Sequence, residues 1–236
     1  MTDMKNVLSQ DSLSSLAKLR DATLEFIAGR ALWNHETHMH GDNVIFVTDG
    51  AMITVWGDTE DWQFEGFDET YSILRVTSGD MGLLNDARDE GNVYVQHSGE
   101  RITGISIARE TITEERDGQI AWTYVTDVAV VMDLETVRLC IAKDSHHDEL
   151  LKVVFSSLSS ALTVPEAIGG WRPELGVEYR RSTDVLPLDG LLDGRVCHRH
   201  PTPPGGFEAH TLRNLGPLVS WHSQISPGVA LSTPQL

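Results

Sequence analysis

The stretch RITGISIARETITEERDGQIAWTYVTDVAVVMDLETVRLCIA, residues 101–142, decides how the chain is expected to fold. Apolar and β-branched residues dominate it, and Asp117-Gly118 and Asp133-Leu134-Glu135 interrupt it with turn residues. Strands are therefore expected over 101–114, 119–132 and 136–142, with another over 92–97 ahead of Ser98-Gly99. Connections this short join antiparallel neighbours, because a parallel crossover needs a longer path. The expected unit is a four-stranded antiparallel meander.

Upstream, Asp11 or Ser12 caps an expected helix running to about residue 32, with Leu13, Leu16, Leu24, Ile27 and Ala31 near helical spacing. Residues 1–10 read as a frayed arm. Strands over 43–47 and 51–56 pair through Asp49-Gly50, a hairpin signal. The acidic and aromatic run GDTEDWQFEGFD, residues 57–68, reads as a loop, and TYSILRV, residues 70–76, as strand or helix. A short helix is expected over 81–88. Downstream, Ser145 and Asp148 have capping-box spacing, so a helix is expected over 145–162 with Leu150, Leu151, Val154, Leu158, Ala161 and Leu162 on its buried face. His146 and His147 would sit exposed in its first turn. The prolines concentrate from Pro165 onward. The chain thus divides into a pocket-forming domain, 1–164, and a Pro/Gly-rich extension, 165–236, wrapping that domain or a partner subunit.

The fold class that follows is α+β: an N-terminal helix packed on a curved antiparallel sheet, with a long irregular C-terminal extension. Its length of 236 residues, with 40% hydrophobic and 22% charged residues, suits one sizeable core. The formal net charge of -17 argues against nucleic acid or an anionic membrane as partner, since both favour a basic footprint. Cys140 and Cys197 form no paired motif and read as reduced thiols. The polar start MTDMKNVLSQD holds no signal-like apolar core, and no run reaches the ~18 apolar residues of a membrane span. The expected location is the cytoplasm, and the extension suggests a homo-oligomer.

Candidate chemistry gathers in WNHETHMHGD, residues 33–42. His35, His38 and His40 supply imidazoles, a side chain suited to general acid/base chemistry, and Asp42 adds a carboxylate. On an extended segment His38 and His40 share a side and could hold one metal ion. Asp127 is the second candidate. Alternation groups it with Ala121, Thr123, Val125, Ala129 and Val131, an apolar face that would desolvate it. It serves there either as an acid or base, or as the partner of Arg109 or Arg101. Trp122 and Tyr124 lie opposite. Trp33, Trp56, Trp62, His97, Arg109, Trp122 and Tyr124 are the candidate substrate contacts. His198 and His200 in the tail read as a solvated loop, with a shared metal ion as the alternative. Neither a nucleophile elbow nor a phosphate loop, dinucleotide fingerprint or HExxH motif occurs.

Two families share features with this order. Residues 12–142, including Trp62-Gln63-Phe64-Glu65-Gly66, resemble the cone-shaped SnoaL-like, nuclear transport factor 2-like superfamily. That resemblance implies a lyase, isomerase, dehydratase or cyclase acting on a small organic molecule, commonly without a metal; the expected substrate is apolar or aromatic and no cofactor is expected. His38-Met39-His40, Asn43 and Val44 to Gly50 look like the first motif of a cupin-like β-barrel, with Asn43 where a glutamate ligand stands. The second motif has an echo in Pro204 to His210 with Asn214. This alternative implies a metal-dependent oxygenase or lyase, with iron, nickel, manganese or zinc on His38 and His40. A third reading is a non-catalytic ligand-binding or assembly domain. The first gives the expectation carried forward: a histidine moves a proton, a buried carboxylate orients it, and aromatic rings hold the substrate.

Overall fold

A computed structural model describes residues 2–30, 33–34, 39–64, 67–79, 93–116, 118–146, 148–160 and 177–193. The chain divides into compact units 1–197 and 198–236, and every described residue belongs to the first.

The protein is mostly β, with a curled half-barrel sheet and two short helices, which overturns the α+β expectation. One sheet has eight strands: β13 (Val177–Pro187), β9 (Gly104–Arg116), β10 (Gln119–Asp133), β11 (Val137–Lys143), β12 (Leu151–Ser157), β4 (Met39–Gly41) and β3 (Trp33–Asn34) in that order. The eighth, β1 (Thr2–Asn6), runs parallel to the first half of β10. The other sheet has the order β7 (Phe67–Ser78), β6 (Met52–Phe64), β5 (Asn43–Thr48), β2 (Thr23–Arg30) and β8 (Val93–Arg101). Each sheet ends in edge strands among the described residues.

The N-terminal helix, α1 (Gln10–Ala17), is much shorter than its apolar spacing suggests. Ser9 caps it by accepting from the Ser12 N–H, and Asp21 ends the following turn in the left-handed region at φ 59°. The next residues, TLEFIAGR, then form β2. Leu24 and Ile27, three apart, match a helical stripe. In the protein a bulge between Leu24 and Phe26 accounts for their both being buried on a strand. The 1–10 arm likewise contains β1.

Residues 57–68 are strand rather than loop where described. The β6–β7 hairpin extends the 51–56 strand to Phe64, and TYSILRV lies in its return arm. Gly57 permits this: a Cβ there would overlap the Glu149 backbone carbonyl, so only glycine lets β6 pass so close. The expected 81–88 helix lies outside the described residues. The 145–162 helix is replaced by β12, paired antiparallel with β11 from Val137↔Ser157 to Lys143↔Leu151. LKVVFSS is rich in β-branched and aromatic residues, and Leu151 and Val153 are buried at alternate positions.

The meander persists as three strands. β9, β10 and β11 are antiparallel neighbours, with Gly118 at φ 74° in the first turn. The fourth, β8, continues through Ser98-Gly99 and pairs with β2 in the other sheet. The sheets share one apolar core: Val44, Phe46, Ile53 and Val55 from the smaller join Ile107, Val130, Met132 and Ile141 from the larger, with Leu13 and Leu16 of α1. From the expected extension, β13 pairs along β9, and α2 (Leu188–Leu192) follows it and buries Leu188. No helix among the described residues is long and apolar enough to cross a membrane.

Candidate active site

A β-sheet of this kind normally hides apolar residues and exposes charges. Here Arg109, Glu110 and Glu114 of β9, Asp127 of β10, Lys143 at the end of β11 and His146 just beyond it are all buried. Each must find compensation, because an unpaired buried charge is costly.

Asp127 and Arg109 face each other in the β9–β10 register. Arg109 donates from Nε to Oδ1 at 2.7 Å and from Nη2 to Oδ2 at 3.1 Å, and the Leu8 N–H donates to Oδ2 at 2.8 Å. Both carboxylate oxygens are thus engaged, and the pair ties the β1–α1 connection to the sheet. A register shift follows between Asp127 and Ala129. Beyond it Val130 and Met132 join the main core while Ala129 and Val131 pack with Cys140 and Ala142. Unbroken alternation through 121–131 therefore does not assign the faces.

On β10 before the shift, Trp122 and Tyr124 pack with Met4, Tyr71 and Ile112. The Trp122 indole N–H donates to Glu114 at 2.8 Å, and Asn6 donates to the Tyr124 hydroxyl at 3.3 Å. The Tyr71 and Tyr124 ring centroids lie 5.1 Å apart, and His146 stands edge-on to Tyr124 at 6.4 Å. Burial raises the Tyr124 pKa, so its phenol stays protonated.

Beside these rings sit Glu110, Lys143 and His146. The Lys143 amine donates to the Ser72 carbonyl at 2.8 Å and to the Thr126 hydroxyl at 2.9 Å, and the Ser72 N–H donates to the His146 carbonyl at 2.7 Å. Burial lowers the Lys143 pKa to about 7, although Glu110 and Asp127 attract its charge. Two hydrogen bonds match the two N–H groups of a neutral amine and leave a lone pair. His146 Nε2 lies 2.9 Å from Glu110 Oε2, and its N–H is not aligned for a full hydrogen bond. Burial, reinforced by the Lys143 charge, outweighs Glu110 and lowers the His146 pKa, keeping the imidazole neutral. Burial alone would raise Glu110, but His146, Arg181 at 3.3 Å and Lys143 together hold its carboxyl below the ordinary value. Among the described residues, His146 Nδ1 and the buried Ser72 hydroxyl have no hydrogen-bond partner. The arrangement joins an ionised carboxylate, a neutral imidazole and an amine poised near neutrality, against aromatic rings.

The residues expected from sequence fall in several places. His40 on β4 is half-buried, with Nδ1 3.7 Å from Asp144, whose other oxygen meets Lys152 at 2.7 Å. Asp42 lies half-buried between β4 and β5. His35 and His38 lie outside the described residues, as do the side chains of Trp33 and His97. Trp56 is half-buried on β6, and Trp62 donates to Glu60 at 3.2 Å and packs on the Tyr71–Trp122 cluster. Arg109, Asp127, Trp122 and Tyr124 share the β9–β10 ladder. Among the described residues no three His, Cys, Asp or Glu side chains group to hold a metal.

His146 is fully buried, and no helix begins at Ser145, which corrects its placement as a surface residue of a first turn. Lys143 and Glu110 carried no sequence expectation. A signal existed for the lysine: it stands two residues after Ile141 and four after Leu139, at inward spacing, in a chain with four lysines. Comparison with protein-family models, curated proteins and solved structures returns no match.

Proposed function

We propose that the protein is a small-molecule enzyme of lyase or isomerase type, working by acid–base chemistry at Lys143, His146 and Glu110. The carrying observation is the Lys143 amine, fully buried with two N–H donors matched and its pKa at about 7. Such an amine takes a proton at working pH, which an ordinary lysine does not. His146 relays the proton, Glu110 orients the imidazole, and Tyr71, Trp122 and Tyr124 form the apolar wall for an aromatic or apolar substrate. Lys143 and His146 have no exposure, and Ser72 bonds to both, so substrate entry requires β7 to move aside there.

The test is solvent-deuterium exchange followed by NMR, using enolisable aromatic ketones and 2-oxo acids as probes. Exchange that is catalysed by the wild type and lost in folded Lys143→Met and His146→Gln variants is the expected result. Equal catalysis by the wild type and both variants, or none by any of them, rejects the assignment.

A further inference from the structure

Strand β13 forms one edge of the larger sheet, and among the described residues no strand pairs with its outer side. Side chains 180–185 are exposed along it. A long exposed edge offers backbone donors and acceptors to another strand, and natural proteins leave few such edges uncovered. Its charges identify the strand that fits.

Two copies of one strand related by a two-fold axis pair antiparallel about a single residue, and each choice of centre sets which side chains oppose. Centring on Arg180, Arg181 or Asp184 places like charges directly opposite. Centring on Ser182 places Arg180 opposite Asp184, and symmetry repeats that pair. Opposite charges in this position stabilise a cross-strand pair and like charges oppose it. Arg180 lies on the exposed side of its 3.0 Å contact with Glu115, its side chain 60% accessible, and a guanidinium has donors for a second carboxylate. Asp184 is exposed, and its register partner on β9, Arg109, is committed to Asp127.

We propose that β13 is the dimer interface of this protein, joining two copies of the chain edge to edge about Ser182 with reciprocal Arg180–Asp184 pairs. Charge at this edge selects register as well as partner, because a shift of the centre to either arginine brings two cations together. This inference is independent of the chemistry assigned to Lys143.

The experiment is sedimentation velocity on the full chain across the micromolar range, for wild type, Arg180→Asp, Asp184→Arg and the doubly exchanged variant. Wild type should dimerise, each single reversal should weaken the dimer by about tenfold or more, and the double exchange should restore it. Matching thermal unfolding of all four monomers would show that the fold is unchanged. A wild-type chain that stays monomeric overturns the proposal, whichever other partner the edge takes. A dimer indifferent to the single reversals, or one that the double exchange fails to restore, overturns it equally.

Discussion

Lys143 donates a 2.8 Å hydrogen bond to the carbonyl of Ser72, tying the end of β11 in one sheet to the edge strand β7 of the other. The bond holds a primary amine where water does not reach. Its pKa falls to about 7 from 10.5, so between these values the unfolded chain carries a proton that the folded chain lacks. Stability from this group therefore rises as pH climbs from about 7 towards 10.5 and is absent below 7, by an amount on the order of a few kcal/mol. Urea denaturation across that interval should show the rise in the wild type. Lys143→Met should flatten it.

His146 and Glu110 act at the acid end. The His146 pKa lies below its ordinary 6.5, so on acidification the unfolded chain gains a proton first and stability is lost. Glu110, held below 4.5, contributes stability that is present above that value and lost as pH falls through its folded pKa. Acid unfolding followed by tryptophan fluorescence should begin below about 6.5 in the wild type. His146→Gln should delay the onset to lower pH, and an unchanged onset would contradict the burial of the neutral imidazole.

The Arg109–Asp127 pair predicts a different pattern. Asp127→Ala leaves the buried guanidinium and the Leu8 N–H without their acceptor, and should cost about 3–5 kcal/mol. Replacing both partners, as Arg109→Met with Asp127→Leu, should recover most of the guanidinium part of that loss and leave the Leu8 N–H cost of about 1–3 kcal/mol. Denaturation of the singles and the double forms the cycle; additive losses would deny the coupling.

Gly57→Ala tests the close crossing of β6 over Glu149. A methyl group must displace backbone there, so a loss of about 1–3 kcal/mol is expected, measured by thermal unfolding.

The strands of 104–143 were legible because their turns are local: Asp117-Gly118 and Asp133-Leu134-Glu135 carry their own geometry. Helical spacing misled at Leu24 and Ile27 and at Leu151 and Val154, where a few matches cannot separate period 3.6 from a bulged or short strand. The sheet change between β8 and β9 depends on pairing with β2, 63 to 78 residues away in sequence, which no local signal encodes. The candidate site was hidden for a related reason. Glu110 comes from β9 and Lys143 and His146 from the end of β11 and just beyond it, and only their burial together distinguishes them from surface charges. Histidine density pointed to His35–His40 instead, and density says nothing of desolvation.

That contrast gives the last prediction. His40 keeps partial solvent contact on β4, with Nδ1 3.7 Å from Asp144, whose other oxygen meets Lys152. Lys143 is enclosed, doubly hydrogen-bonded and shifted to about 7. Removing a proton-transfer group typically lowers rate by about 100-fold or more. The His38→Ala/His40→Ala double variant should therefore retain deuterium exchange within about threefold of wild type, whereas Lys143→Met should lose it by about 100-fold or more with its circular dichroism unchanged. Loss of exchange in the histidine variant, with Lys143→Met still active, would move the chemistry to the β4 loop and reject the buried amine as the proton acceptor.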